Sequence, residues 1–246
     1  MKTKYFVKFL NNSAHLDVDL EVVDILQKAI KNGDSRIDEA SFMFGFVDET
    51  KHVKLSARAK TLHSRKLAVN HLKSSVREAF IKSIYESTTT YFHEVLKAAT
   101  RKGINSDRLI GEHSINFTGR EIMQLGSYPK ILDKISTSIF RALEDERSTK
   151  SLIDKMAKKL NLRIDAEKIK AALPYFEIRH KLVHAEGKAD KQFCRNYPNI
   201  GAEEHKSIRI SFDIVDQARV TITELIKEFD QKLVENRLIP ESDLQP

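Results

Sequence analysis

The stretch that decides the fold is residues 58–102, RAKTLHSRKLAVNHLKSSVREAFIKSIYESTTTYFHEVLKAATRK. Apolar residues recur along it at helical spacing, and Gly103 follows it as a stop signal. The pattern predicts one long helix, or two helices end to end. Residues 87–90, STTT, are poor helix formers that mark either a bend or a close helix contact. The apolar positions are Leu67, Leu72, Val76, Phe80, Ile84, Tyr91, Val95 and Leu96.

The rest of the chain also favours helices, because only 8 Gly and 5 Pro occur in 246 residues. Few obligatory turns over this length favour long helices. Pro174 is expected to interrupt or restart the helix that contains it, since its ring removes a backbone donor. The further helices predicted by periodicity and end signals are 17–31, 120–125, 128–146, 148–160, 165–187 and 213–235.

The first 60 residues show two short aromatic runs, Tyr5–Leu10 and Ser41–Val47. The second is followed by Asp48, Glu49 and the segment HVKLS, a pattern that a strand, a turn and a second strand would explain. The predicted fold is therefore all-α, an antiparallel helical bundle with a small β-hairpin or an irregular segment at its N-terminal end. We divide the chain into an N-terminal segment of unknown role, 1–60, and a helical domain, 61–240.

Composition excludes several classes of protein. With Cys194 as the single cysteine, neither a disulfide framework nor a cysteine-rich metal site can form. No window has the ~18 consecutive apolar residues of a membrane span, and no secretory signal is recognisable, so we expect a cytoplasmic protein without membrane contact. Phosphate-binding glycine motifs and the nucleophile elbow of hydrolases are also missing. No cofactor is expected.

The net charge of +7 is concentrated in one part of the chain. Residues 1–50 carry 6 basic and 9 acidic side chains, whereas residues 51–102 carry 12 basic and 3 acidic ones. A polarised basic stretch is expected of a surface that meets phosphates, because neutralising them releases counterions. A solvated helix face that serves solubility explains the same count equally well.

The chemistry-bearing candidates cluster in residues 174–187, PYFEIRHKLVHAEG. His180 and His184 are four residues apart and share a helix face, which is also a metal-binding spacing. No third ligand can be named, so no metal is expected. Arg179 and His184 suit metal-independent RNA cleavage. A histidine can accept or supply the proton, and a guanidinium can stabilise the charge on the phosphorane. The alternative is a helix-end histidine beside a salt-bridged arginine.

Residues 179–184, RHKLVH, resemble the R-x4-6-H motif of HEPN domains, and the following residues are similar to the bacterial versions in defence and toxin systems. The resemblance covers about residues 60–236. It implies a helical bundle that dimerises to form one composite, metal-independent endoribonuclease site. Arg179 and His184 would occupy the catalytic positions, and His180 the polar position after the arginine. Lys181 and Glu177 lie outside the motif and are expected only as RNA contacts.

The leading hypothesis is therefore an endoribonuclease that cleaves single-stranded RNA by attack of the 2′-oxygen, in a toxin or antiphage system. Its expected partners are RNA and a second copy of the chain, with an antitoxin or sensor protein as a further candidate. Two alternatives stay open. One is a non-catalytic HEPN module that binds RNA, a nucleotide or a partner protein, and the other is a helical scaffold in which the Arg and His pair is coincidental.

Overall fold

The computed structural model describes residues 1–14, 16–31, 47–59, 61–113, 115–146 and 148–246. Helices form nearly all of its regular structure, so the prediction of an all-α helical bundle is confirmed. Short 3-10 turns cover Pro198–Ile200 and Glu241–Asp243. The α-helices within these ranges are α1 (Lys4–Ala14), α2 (Asp17–Lys31), α3 (Val53–Ala59), α4 (Leu62–Lys102), α5 (Ser106–Ile110), α6 (Gly119–Leu125), α7 (Tyr128–Glu144), α8 (Thr149–Leu160), α9 (Ala166–His184), α10 (Lys191–Asn196) and α11 (Phe212–Glu235).

Helix α4 forms the centre of the bundle as a single helix of 41 residues. Its C-terminal two thirds bury Phe80, Ile84, Tyr91 and other apolar side chains against the remaining helices. The STTT segment does not break it. Thr88 is 2% exposed and donates its hydroxyl to the Ile84 carbonyl oxygen at 2.8 Å. The helix therefore continues through these residues, with Ser87 and Thr88 buried in the bundle.

The N-terminal residues contribute to the same core. The aromatic run Tyr5–Leu10 lies in α1, and Tyr5, Phe6 and Phe9 pack in one cluster with side chains of α4 and α11. Strand β1 (Lys2–Thr3) pairs antiparallel with β2 (Leu244–Gln245), which joins the two ends of the chain. The division at residue 60 remains a prediction, although buried residues on both sides of it belong to this cluster.

A buried carboxylate fixes this end of the bundle. Asp230 on α11 is 2% exposed and accepts hydrogen bonds from the Thr3 amide at 3.0 Å, the Thr3 hydroxyl and the Tyr91 hydroxyl. Burial raises the pKa of Asp230, although these donors act in the opposite direction. The carboxylate thus ties the N-terminus to α4 and α11.

The predicted strand, turn and strand around Asp48 is wrong in its second half. Residues 41–46 lie outside the described residues, but the second strand is replaced by α3, which begins at Val53. The Asp48 carboxylate accepts hydrogen bonds from the Thr50 and Lys51 amides, at 2.8 and 3.1 Å. The turn therefore leads into a helix, because the side chain satisfies amides that a hairpin would pair across strands.

Helix α9 carries the candidate motif and runs through Pro174 without interruption, contrary to the prediction. Buried side chains on both sides of the proline, Leu173 and Tyr175 among them, hold the helix together despite the missing backbone donor. The helix ends at His184. Gly187, at φ +72°, donates its amide to the Lys181 carbonyl oxygen at 2.9 Å and turns the chain away.

Candidate functional site

The three motif residues lie on the last turns of α9, which is anchored by a buried face. Asp165 caps the start of the helix, and Phe176 and Ile178 are at most 1% exposed. Arg179 is half-buried, whereas His180 and His184 are exposed. The motif therefore stands on a rigid element with its polar side chains turned toward solvent.

Arg179 is held by an aromatic ring instead of by a carboxylate. Its guanidinium carbon lies 4.2 Å from the centre of the Tyr85 ring, and Tyr85 in turn contacts Phe176 edge to face at 5.8 Å. Within the described part of the chain, no carboxylate lies at ion-pair distance from Arg179. A cation stacked on a ring keeps its outer N–H donors available. Arg179 therefore does not form, with any described residue, the salt bridge that the alternative interpretation expected.

His180 and His184 stand side by side as the spacing predicted, with ring centres 4.7 Å apart and planes inclined by 44°. Neither ring forms a hydrogen bond with another described residue. Partial burial lowers the pKa of His180, and the neighbouring Glu177 carboxylate opposes this effect. His180 is therefore neutral at pH 7 and can accept a proton.

A cavity of about 180 Å³ lies against these side chains, and we call it the Arg179 cavity. Its other walls come from α4, α7 and the start of α8. Burial raises the pKa of Glu144, and the adjacent Asp145 adds to the effect. Glu146 forms an ion pair with Lys155 at 2.5 Å, so its charge is compensated. The lining residues are Tyr85, Glu144, Glu146, Ser148, Thr149, Leu152, Glu177, Arg179, His180 and His184.

The two further candidates have different surroundings. Glu177 lines the Arg179 cavity and forms no hydrogen bond or ion pair with a described residue. The Lys181 ammonium lies 2.5 Å from the Asp190 carboxylate, and the lysine side chain is 14% exposed. Lys181 therefore joins α9 to the start of α10, where Asp190 also caps the Phe193 amide at 2.8 Å.

Tyr85 and Glu144 are two of the site residues that the sequence did not indicate. Tyr85 is one aromatic residue among the many apolar positions of α4, and Glu144 is one acid near the end of α7. Only the fold brings both to the Arg179 cavity, because α4 packs against α9 and the end of α7 borders the same cavity. A perturbed carboxylate in a polar cavity is a typical sign of a functional site, but it requires coordinates to be seen.

Some basic residues of the stretch 51–102 form ion pairs and hydrogen bonds within the fold. Arg77 is 6% exposed, lies 3.5 Å from Asp24 on the acidic helix α2 and donates to the Ile210 carbonyl oxygen. Arg101 pairs with Asp133 on α7. In contrast, Lys51, Lys54 and Lys102 are exposed and make no ion pair with a described residue. The surface charge is thus smaller than the count along the sequence suggests.

Comparisons with protein families, curated proteins and solved structures found no match to this chain. Among the residues that the structure describes, no three or more His, Cys, Asp or Glu side chains are grouped so as to hold a metal ion. In the same ranges, every helix is too short or too polar to cross a bilayer.

Proposed function

We propose that the protein is a HEPN-type, metal-independent endoribonuclease that cleaves single-stranded RNA. The observation that carries the proposal is the Arg179 guanidinium, held on Tyr85 with no described carboxylate at ion-pair distance, beside the His180 and His184 rings. The site would be completed by the same residues of a second copy. We place the protein in the cytoplasm, in a toxin or antiphage system, with an antitoxin or sensor protein as a further partner.

The reaction is an in-line displacement at phosphorus. The 2′-oxygen attacks and forms the new P–O bond, while the bond to the 5′-oxygen breaks and leaves a cyclic phosphate. His180, neutral because its pKa is lowered, accepts the 2′-hydroxyl proton. His184 supplies a proton to the departing 5′-oxygen. Arg179 stabilises the negative charge that builds on the phosphorane oxygens.

The exposed end of α9 supports assembly from two copies. His184 is exposed, and Val183 beside it is 47% exposed, an apolar residue that a second chain would cover. At about 180 Å³, the Arg179 cavity suits one phosphate group rather than a length of RNA. An RNA strand bound to the two facing Arg179 cavities of a dimer would extend beyond each cavity.

The test is RNA degradation by the purified protein in EDTA. We expect the parent to cut and the Arg179→Ala and His184→Ala variants each to lose about 100-fold or more of the rate, the usual effect of removing one catalytic group. Arg120→Ala and His205→Asn are matched controls, because both residues are exposed and neither lines the Arg179 cavity. His205 has a φ of +62°, which asparagine tolerates.

Helical circular dichroism of all four variants separates loss of the site from loss of the fold. Equal rates of the parent and both motif variants would refute the assigned roles. A protein that leaves RNA intact in EDTA and with added divalent metals is not a nuclease.

A non-catalytic RNA-binding module is the second candidate function. The exposed Lys51, Lys54 and Lys102 would bind RNA phosphates in such a module as well as in a nuclease. It predicts RNA retention that weakens with salt while the RNA stays uncut. Filter binding at several salt concentrations, with electrophoresis of the recovered RNA, distinguishes the two.

A further inference from the structure

A second cavity, of about 340 Å³, adjoins the Arg179 cavity and shares Ser148, Glu177 and His180 with it. It lies between the start of α8, the last turns of α9 and helix α10, and we call it the α10 pocket. Its volume falls within the range of about 300–1,000 Å³ in which proteins bind small molecules. The Arg179 cavity is below that range.

The α10 pocket has an apolar side made largely of rings. Leu173 and Phe193 are 8% and 2% exposed, and Tyr197 lies edge to face against Phe193 at 5.3 Å. The His180 ring is also part of the lining. Planar apolar surfaces of this kind suit a nucleobase, whose faces are favourable partners for rings.

The α10 pocket is also lined by polar side chains, among them Gln192, Asn196 and Glu177. Gln192 and Asn196 are four residues apart on α10, so both amides project from the same face of this helix. Together with the Glu177 carboxylate, they form no hydrogen bond with the side chains or backbone of the described residues. The Lys181–Asp190 ion pair fixes α10 in place. Three unpartnered hydrogen-bonding groups therefore converge on a pocket with an apolar wall.

We propose that the α10 pocket binds the guanine base of the nucleotide on the 5′ side of the scissile phosphate. The inference rests on the proposed ribonuclease function, since it assigns the pocket to the same substrate. The Glu177 carboxylate accepts hydrogen bonds from N1–H and the N2 amino group of guanine. The Gln192 and Asn196 amides donate to its O6 and N7.

Guanine is the base that satisfies these groups together. A carboxylate needs adjacent N–H donors, and the Watson–Crick edge of guanine presents two. Adenine and cytosine each place an unprotonated ring nitrogen beside their amino group, and uracil flanks its one N–H with two carbonyl oxygens. Each of the three would set an acceptor against the Glu177 carboxylate, which costs binding energy.

The shared His180 assigns the base to the 5′ nucleotide. It lines both cavities, so the ribose whose 2′-hydroxyl it deprotonates lies at their boundary. The base on that ribose then enters the α10 pocket, and the phosphate on its 3′-oxygen enters the Arg179 cavity. Cleavage follows guanosine on its 3′ side.

The first measurement does not require cleavage. Guanosine 3′-monophosphate and cytidine 3′-monophosphate are titrated calorimetrically into the full chain. We expect the guanine nucleotide to bind at least tenfold more tightly, and Glu177→Gln and the double variant Gln192→Ala/Asn196→Ala each to remove most of this difference. Asn199→Ala, an exposed amide beside the pocket, is the control and should bind as the parent does.

The second measurement is sequencing of the RNA ends produced in EDTA. Ends that follow guanosine in the parent and lose this bias in Glu177→Gln support the inference. Equal binding of the two nucleotides, or a preference that survives both pocket variants, overturns it. If RNA is cut without base preference, the nuclease function stands and the pocket assignment falls. If the pocket selects guanine while RNA stays uncut, the nuclease proposal falls instead.

Discussion

Replacing Tyr85 with leucine should slow RNA cleavage without removing any group that contacts RNA. The Tyr85 ring lies 4.2 Å from the guanidinium carbon of Arg179, and such contacts contribute about 0.5–1 kcal/mol when exposed and about 2 kcal/mol when desolvated. Arg179 is half-buried, so we take about 1–1.5 kcal/mol. If that stabilisation is lost in the transition state, kcat/KM falls about 5- to 13-fold.

Initial rates on a fluorogenic RNA in EDTA give the measurement. The loss should fall on kcat rather than KM, because the charge of Arg179 remains while its position relaxes. Tyr85→Phe keeps the ring and should stay within about twofold of the parent. In an Arg179→Ala background, Tyr85→Leu should cost nothing more, since the pair acts as a unit. A Tyr85→Phe variant as slow as Tyr85→Leu would refute the reasoning, as would a Tyr85→Leu variant as fast as the parent.

Two predictions concern stability and are checked by urea unfolding. Asp230→Ala leaves the Thr3 and Tyr91 donors buried without an acceptor and should cost about 3 kcal/mol, whereas Asp230→Asn should cost less. Burial raises the pKa of Asp230, so its contribution to stability is complete below the pKa of the unfolded state and is lost as pH rises through the pKa of the folded state. Asp230→Asn should remove this pH-dependent loss of stability. A variant with the same dependence of stability on pH as the parent contradicts the prediction. Gly103 has a φ of +98°, so Gly103→Ala should lower the free energy of unfolding by about 1–2 kcal/mol and Gly103→Asn by less. Equal urea midpoints for the parent and both Gly103 variants would exclude backbone strain at this position.

Helix bounds followed from the sequence wherever a local signal fixed them. Asp165 caps α9 through its side chain, and Gly103 ends α4 in the left-handed conformation, as their residue types predicted. Some failures depend on contacts between elements. Leu67 and Leu72 fit the apolar pattern of α4 but are 53% and 45% exposed, whereas Val69 between them is 5% exposed.

The candidate site, too, could be predicted from the sequence only in part. The side-by-side placement of His180 and His184 follows from helical spacing alone. The ring that holds Arg179 could not be predicted, because Tyr85 comes from a helix distant in sequence. The same holds for Lys181, a candidate RNA contact that the fold pairs with Asp190. Spacing identifies which residues share a face, whereas partners across helices depend on how the helices pack.

The charged residues that line the Arg179 cavity are a physical reason to expect assembly from two copies. Among the described residues that line the cavity, Arg179 is the one permanent cation, and Glu144 and Glu177 face the same space. With a single permanent cation, one copy attracts a phosphate only weakly. A second copy would add another guanidinium to the phosphate site and exclude water, which strengthens each charge interaction. Burial raises the pKa of Glu144, which lessens the repulsion between this carboxyl and a phosphate. We therefore expect the proposed activity to require two copies of the chain, each contributing one Arg179 cavity.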